Sequence, residues 1–146
     1  DIYDAAPLQE DFSRSREALS RVELAVVSEL TASNRAPKDA YAGPNRAELE
    51  SSVRVTWAQR SLNSDVLAVR VHEPNWRRFT GVRWRPEVNG WESFDQERLS
   101  ATVVVRKDNR RATLHDVSLS RDPDTGRLDI EEDPVVRPRD MLLANL

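Results

Sequence analysis

The apolar positions of this chain follow a helical period at its start and alternate with period two through its middle. From Pro7 to about Thr31, Leu8, Phe12, Leu19, Val22, Val26 and Leu30 recur at the spacing of one helix face, which predicts a long amphipathic helix. Pro7 suits its first turn. Glu10 with Arg14, and Glu17 with Arg21, stand at i,i+4 in the favourable order. The expectation is that this stripe packs on a sheet. A second helix is predicted from Arg46 to about Ser61, with Leu49, Val53 and Trp57 on one face. Asn45 and Glu48 match a capping box at its start.

Beyond Asp65 the period shortens. In Val66–His72, Leu67, Val69 and Val71 share one face and Val66, Ala68, Arg70 and His72 the other. In Thr80–Arg85, Thr80, Val82 and Trp84 oppose Gly81, Arg83 and Arg85, and Trp84 is expected in the core. Ala101–Lys107 holds Val103-Val104-Val105 and reads as a central strand buried on both faces. Along Arg110–Leu119 the parity changes between Leu114 and Val117, and a β-bulge near His115-Asp116 would restore it. Asp95–Leu99 reads as a single helical turn capped by Asp95.

Three turn signals separate these runs. Asn89-Gly90 fits a type I′ turn with both residues at positive φ. Asp108-Asn109 fits a tight hairpin, and Asp122-Pro-Asp-Thr-Gly126 fits a turn whose glycine takes the left-handed position. Successive hairpins make an antiparallel meander. The fold class expected is therefore α+β, with two N-terminal helices packed on a twisted antiparallel meander of four to six strands. One domain is expected over 1–146, with 1–6 and 134–146 as loosely ordered ends. This element order resembles that of the cystatin-like and NTF2-like architectures, in which a long helix lies in the concave face of a curved sheet. No motif of either family covers these residues, so the resemblance carries no functional residue.

Composition narrows the chemistry. The 146 residues contain no cysteine, which removes disulfides, thiol catalysis and thiolate zinc sites. No apolar run approaches the length of a membrane span. The chain begins with Asp1, which fits a processed exported protein as well as a trimmed domain, and an exported or periplasmic setting is preferred. Net charge is −3, yet residues 70–111 carry 10 basic and 6 acidic side chains. An acidic molecule with one basic stretch is a poor general nucleic-acid binder and can still hold a single anionic group.

The candidate binding residues lie in that stretch. Trp76, Arg78, Arg83, Arg85 and Trp91 combine large rings with guanidinium groups, which stack on planar ligands or grip carboxylates. No catalytic residue is assigned. His72 and His115 are the weak candidates, an acid–base pair if their strands are neighbours. The acidic turn Asp122–Asp133 lacks the glycine and glutamate positions of a calcium loop, so no metal site is expected, and no cofactor motif is found. The function expected is a non-catalytic binding or accessory domain for an unknown protein or small anionic ligand, with a homodimer compatible. The alternatives are a small hydrolase or isomerase with a histidine general base in a sheet-lined pocket, and a single-stranded nucleic-acid binder on the arginine face.

Overall fold

The computed structural model describes residues 6–146. Among these residues two helices, α1 (Ala6–Ser33) and α2 (Arg46–Arg60), precede six strands: β1 (Val66–Val71), β2 (Arg77–Arg85), β3 (Gly90–Arg106), β4 (Arg111–Arg121), β5 (Leu128–Glu132) and β6 (Arg139–Leu142). All pairings are antiparallel. The sheet is four strands wide, because β1 and β2 lie end to end along one edge of β3, and β5 and β6 lie end to end along the outer edge of β4. The α+β class and the meander β2-β3-β4-β5 are as the alternation implies.

The main core lies between α2 and one face of the sheet. Leu49, Val53 and Trp57 of α2 meet Val66, Val69, Val71, Leu99, Ala101, Val103, Val117, Leu119 and Ile130. A smaller cluster forms on the opposite face, from Ala68, Val104, Ala112, Leu114 and Met141. Val103 and Val104 point to different faces and both are fully buried, so β3 is the central strand. The two clusters also explain the parity change in β4. Ala112 and Leu114 serve one face and Val117 and Leu119 the other, so the strand stays regular. Its ladder with β3 runs unbroken from Glu97 opposite Arg121 to Arg106 opposite Ala112, and no bulge forms at His115-Asp116.

The irregularity sits instead in β1, where the register shifts between Val66 and Ala68. The extra residue turns Val66 onto the α2 face with Val69 and Val71. Arg54 of α2 donates to the carbonyls of Val66 and Leu67, which gives the bulged backbone partners. The outer edge of β1 is also occupied. Arg46 donates to the Val69 carbonyl (2.6 Å), the Asp39 carboxylate accepts from the Val71 N–H (2.8 Å), and Ala40 N–H donates to the Val71 carbonyl (2.8 Å). These contacts close an edge that would otherwise invite another strand.

Four local expectations are corrected. Asn45 is left-handed (φ 57°) and its side chain makes no capping bond, so the capping box is absent. Pro86 starts a short 3-10 turn over Pro86–Val88, only Asn89 takes positive φ (46°), and Gly90 begins β3 in ordinary backbone. Residues Asp95–Leu99 are extended rather than helical, because Arg77–Thr80 of β2 pairs with Asp95–Arg98 along its length. Regular structure also continues past Asp133. In β6, Met141 is fully buried, so part of 134–146 is docked. Of the loose N-terminal end expected at 1–6, all but Ala6 lies outside the described residues. The turn at Asp122 forms as read: its carboxylate accepts from the N–H groups of Asp124 and Thr125 (2.8 and 3.0 Å), and Gly126 has φ 71°.

The largest departure is α1. Its stripe does not lie on the sheet: Leu8, Phe12, Leu19, Val22, Val26 and Leu30 are all exposed. The helix meets the rest of the molecule near its C-terminal end, beside β6. There the Asn34 side chain donates to the Asp140 carbonyl (2.7 Å), and the Asn145 side chain donates to the carbonyls of Ala32 and Asn34 (3.0 and 3.1 Å).

Candidate functional site

Trp76, Arg78, Arg83, Arg85 and Trp91 do not come together. Strand β2 and the first half of β3 extend beyond the core as a two-stranded ribbon, and the pleat divides these side chains between its faces. Arg83 and Arg85 share one face with Glu92, which accepts from both. Arg78 and Trp91 share the other. Arg78 is bidentate on Asp95, and Trp91 meets Trp84 edge-on across the strands, centroids 5.6 Å apart. Trp84 is therefore not a core residue. It is 47% exposed and Trp91 is 72% exposed, because no helix covers the ribbon. Trp76 lies apart, beneath α2, with the Arg121 guanidinium over its ring at 4.2 Å. It lines a 280 Å³ cavity with Tyr41, Leu49 and Leu128.

Arg77, Arg78, Arg83 and Arg85 of the ribbon are matched by carboxylates. The Asp95 carboxyl is held below its ordinary range by the hydrogen bonds from Arg78. Arg85 is held above its ordinary value, first by the charge of Glu92 and then by its hydrogen bonds. Such pairs leave little uncompensated positive charge for a polyanion, which counts against a nucleic-acid face.

The histidines occupy opposite faces of the sheet and form no acid–base pair. His115 faces α2. Its Nδ1 is 2.9 Å from a Glu132 carboxylate oxygen, and its ring tilts against Trp57 at 4.9 Å. Those contacts make it a packing residue. His72 faces away from α2. Its Nε2 lies 2.7 Å from the hydroxyl of the fully buried Thr102, which donates to Asp116 (2.7 Å); Arg139 donates to the other oxygen of Asp116 (3.0 Å). A threonine hydroxyl has one proton. Since that proton goes to the carboxylate, Nε2 of His72 must carry the hydrogen and donate to Thr102. This fixes the ring and leaves Nδ1 turned from the relay. No sequence signal announces the relay, because its members lie 30 and 14 positions apart and meet only through strand register.

Two surfaces thus stand out. One is the uncovered sheet face around His72, whose floor is polar: Ser100, Thr102, Asp116, Ser118 and Ser120 share it. The other is the apolar face of α1. Among the described residues no group of three or more His, Cys, Asp or Glu side chains is placed to hold a metal ion. No described helix is long and apolar enough to cross a membrane. Comparison of the chain with protein-family models, curated proteins and solved structures finds no match.

Proposed function

We propose that this chain is a non-catalytic binding and assembly domain that pairs with a second copy of itself through α1. The observation carrying this reading is the exposure of the whole α1 stripe on a 28-residue helix. A face of that size left in water is a docking surface. The sheet face opposite α2 offers it no apolar seat, since its uncovered part has a floor of serine, threonine and aspartate.

The spacing of the stripe favours a second copy as the occupant. Phe12, Leu19 and Val26 fall seven apart, with Leu8, Ser15 and Val22 between them at the complementary positions of a heptad. In a parallel pair like residues meet across the seam, and Asp11 of one helix stands beside Arg16 of its partner, opposite charges at flanking positions. Glu29 would face its own copy and so ends the seam before the helix reaches the sheet. Burying the exposed fractions of the five apolar side chains from Leu8 to Val26 supplies on the order of 5–9 kcal/mol per helix. For two helices that exceeds the lower estimates of the association cost, roughly 4–15 kcal/mol.

Sedimentation equilibrium over a wide concentration range tests this reading. The expected mass rises from 16.7 kDa at high dilution towards twice that value. A mass fixed at one chain at every concentration overturns it. The alternative of a histidine general base keeps one supporting observation, the relay that fixes His72. A deep enclosed pocket around that ring, which general-base chemistry would favour, is not what surrounds it; the cleft there is open to solvent.

A further inference from the structure

The uncovered sheet face holds charged groups that the fold leaves without an ion-pair partner; the Arg98 guanidinium lies over the Phe79 ring, 5.3 Å from its centroid, beside the Gln96 side-chain amide. His72, Ser100, Ser118 and Glu131 form one row across four strands: His72 N–H donates to the Ser100 carbonyl (2.9 Å), Ser100 stands opposite Ser118, and Ser118 opposite Glu131. Arg98 lies one pleat along on the same face of β3. Together they border an open cleft of about 470 Å³, with the segment after β5 as its far wall. Among the described residues Arg98 has no carboxylate within ion-pair distance, and neither does Glu131 have a cation. The hydroxyls of Ser100 and Ser118 and the Nδ1 of His72 likewise make no hydrogen bond.

These groups are arranged by charge. The cationic side, Arg98, rises from β3. The anionic side, Glu131, rises from β5. Between them the floor consists of short serine side chains, which leave room above the sheet. Neighbouring strands are about 4.8 Å apart, so β3 and β5 are separated by roughly 10 Å. An extended tripeptide with free ends spans about the same distance. A guanidinium takes a carboxylate through paired N–H donors, and a lone carboxylate takes an ammonium group.

We propose that this cleft binds a short zwitterionic peptide in extended form, its carboxylate on Arg98 and its ammonium group on Glu131, over Ser100 and Ser118. A simple anion is a poorer fit, because Asp116 and Glu131 line the same cleft and repel it. The tryptophans and paired arginines of the ribbon take no part, and the inference is independent of α1.

The test is a titration of the ¹⁵N-labelled full chain followed by amide chemical shifts. The probes are triglycine, N-acetyl-triglycine and triglycine amide. Triglycine shifts the amides of Ser100, Thr102 and Ser118 in a saturating manner, and blocking either end weakens binding about tenfold or more, as loss of one paired charge requires. Arg98→Ala, at an exposed position that leaves the other amides in place, makes triglycine and its amide bind alike. Glu131→Gln does the same for triglycine and its acetylated form. Absence of saturating shifts up to the solubility limit, equal responses to all three peptides, or shifts confined to another surface would each overturn the assignment.

Discussion

Val53 and Leu19 occupy equivalent places in the sequence pattern, each at the centre of an apolar helical stripe, and the structure assigns them opposite energetic roles. Val53 is 0% exposed and touches the sheet core. Val53→Ala removes two methyl groups from a filled space. The lost transfer energy is about 1.6 kcal/mol, and the residual cavity raises the cost to roughly 2–3 kcal/mol. Leu19 is 63% exposed. In the isolated chain Leu19→Ala should cost within about 0.5 kcal/mol, because it vacates no packed site and alanine favours the helix. Urea unfolding at high dilution, where self-association is suppressed, measures both. The expected result is a midpoint lowered clearly by Val53→Ala and hardly at all by Leu19→Ala, with unchanged slopes. At high concentration Leu19→Ala should instead weaken association by roughly 2–4 kcal/mol for the two copies together, about 30- to 1000-fold in the dissociation constant. If Leu19→Ala destabilises the dilute chain as much as Val53→Ala, α1 packs on its own sheet and the reasoning fails.

Two further outcomes follow from the turns and from the charges. Gly126 has φ 71°, so Gly126→Ala should cost about 1–2 kcal/mol, whereas Gly90→Ala should be close to neutral, since a Cβ there meets only the Val88 carbonyl at 3.6 Å; paired thermal melts decide it, and equal losses would restore the type I′ turn. The Asp108 carboxyl is pulled down to about 2 by the backbone N–H of Arg110 and then by the Arg111 side chain and N–H. A depressed carboxyl stabilises the fold above its unfolded value near 3.8, and that contribution is lost as pH falls through about 2. Carboxyl ¹³C shifts should show Asp108 titrating at the foot of that window, and Asp108→Asn should remove its share of the acid sensitivity; a midpoint near 3.8 would contradict the hydrogen bonds.

What could be read from sequence was whatever local period and turn chemistry determine. The stripe Leu49, Val53, Trp57 marked α2 and its buried face, and Val103-Val104-Val105 marked the central strand. Asp122–Gly126 marked its turn through Pro123, which presets φ, and Gly126, which takes the left-handed position. Readings failed where a distant partner decides. Asp95–Leu99 has the composition of a helical turn, but pairing with β2 overrides local preference. The parity change in β4 implies a bulge only if one face of the strand is buried; a second cluster around Met141 buries the other. Trp84 alternates like a core residue, and only the absence of a covering helix exposes it. The α1 stripe declared a helix without declaring what covers it, since an internal sheet and a second chain demand the same spacing. Of the candidate site residues, Trp76, Arg78, Arg83, Arg85 and Trp91 are neighbours in sequence only. The pleat separates them, while His72, Thr102 and Asp116 are joined by register alone.

The parallel pairing of α1 is open to a direct measurement because the chain contains no cysteine. Ser15 stands at the seam of the proposed pair, so Ser15→Cys is a small change that sets one thiol opposite its copy, within disulfide reach. In an antiparallel pair that aligns the same seam, Leu8 opposite Val26, Ser15 would instead stand opposite Leu19, with the two Ser15 positions roughly 6 Å apart along the axis. Mild oxidation of Ser15→Cys, followed by non-reducing electrophoresis, should give a covalent species of twice 16.7 kDa that reductant reverses and that Leu19→Ala diminishes. A chain that stays single under oxidation, or that cross-links only when Ser15→Cys is mixed with Leu19→Cys, would contradict the parallel self-association proposed for α1.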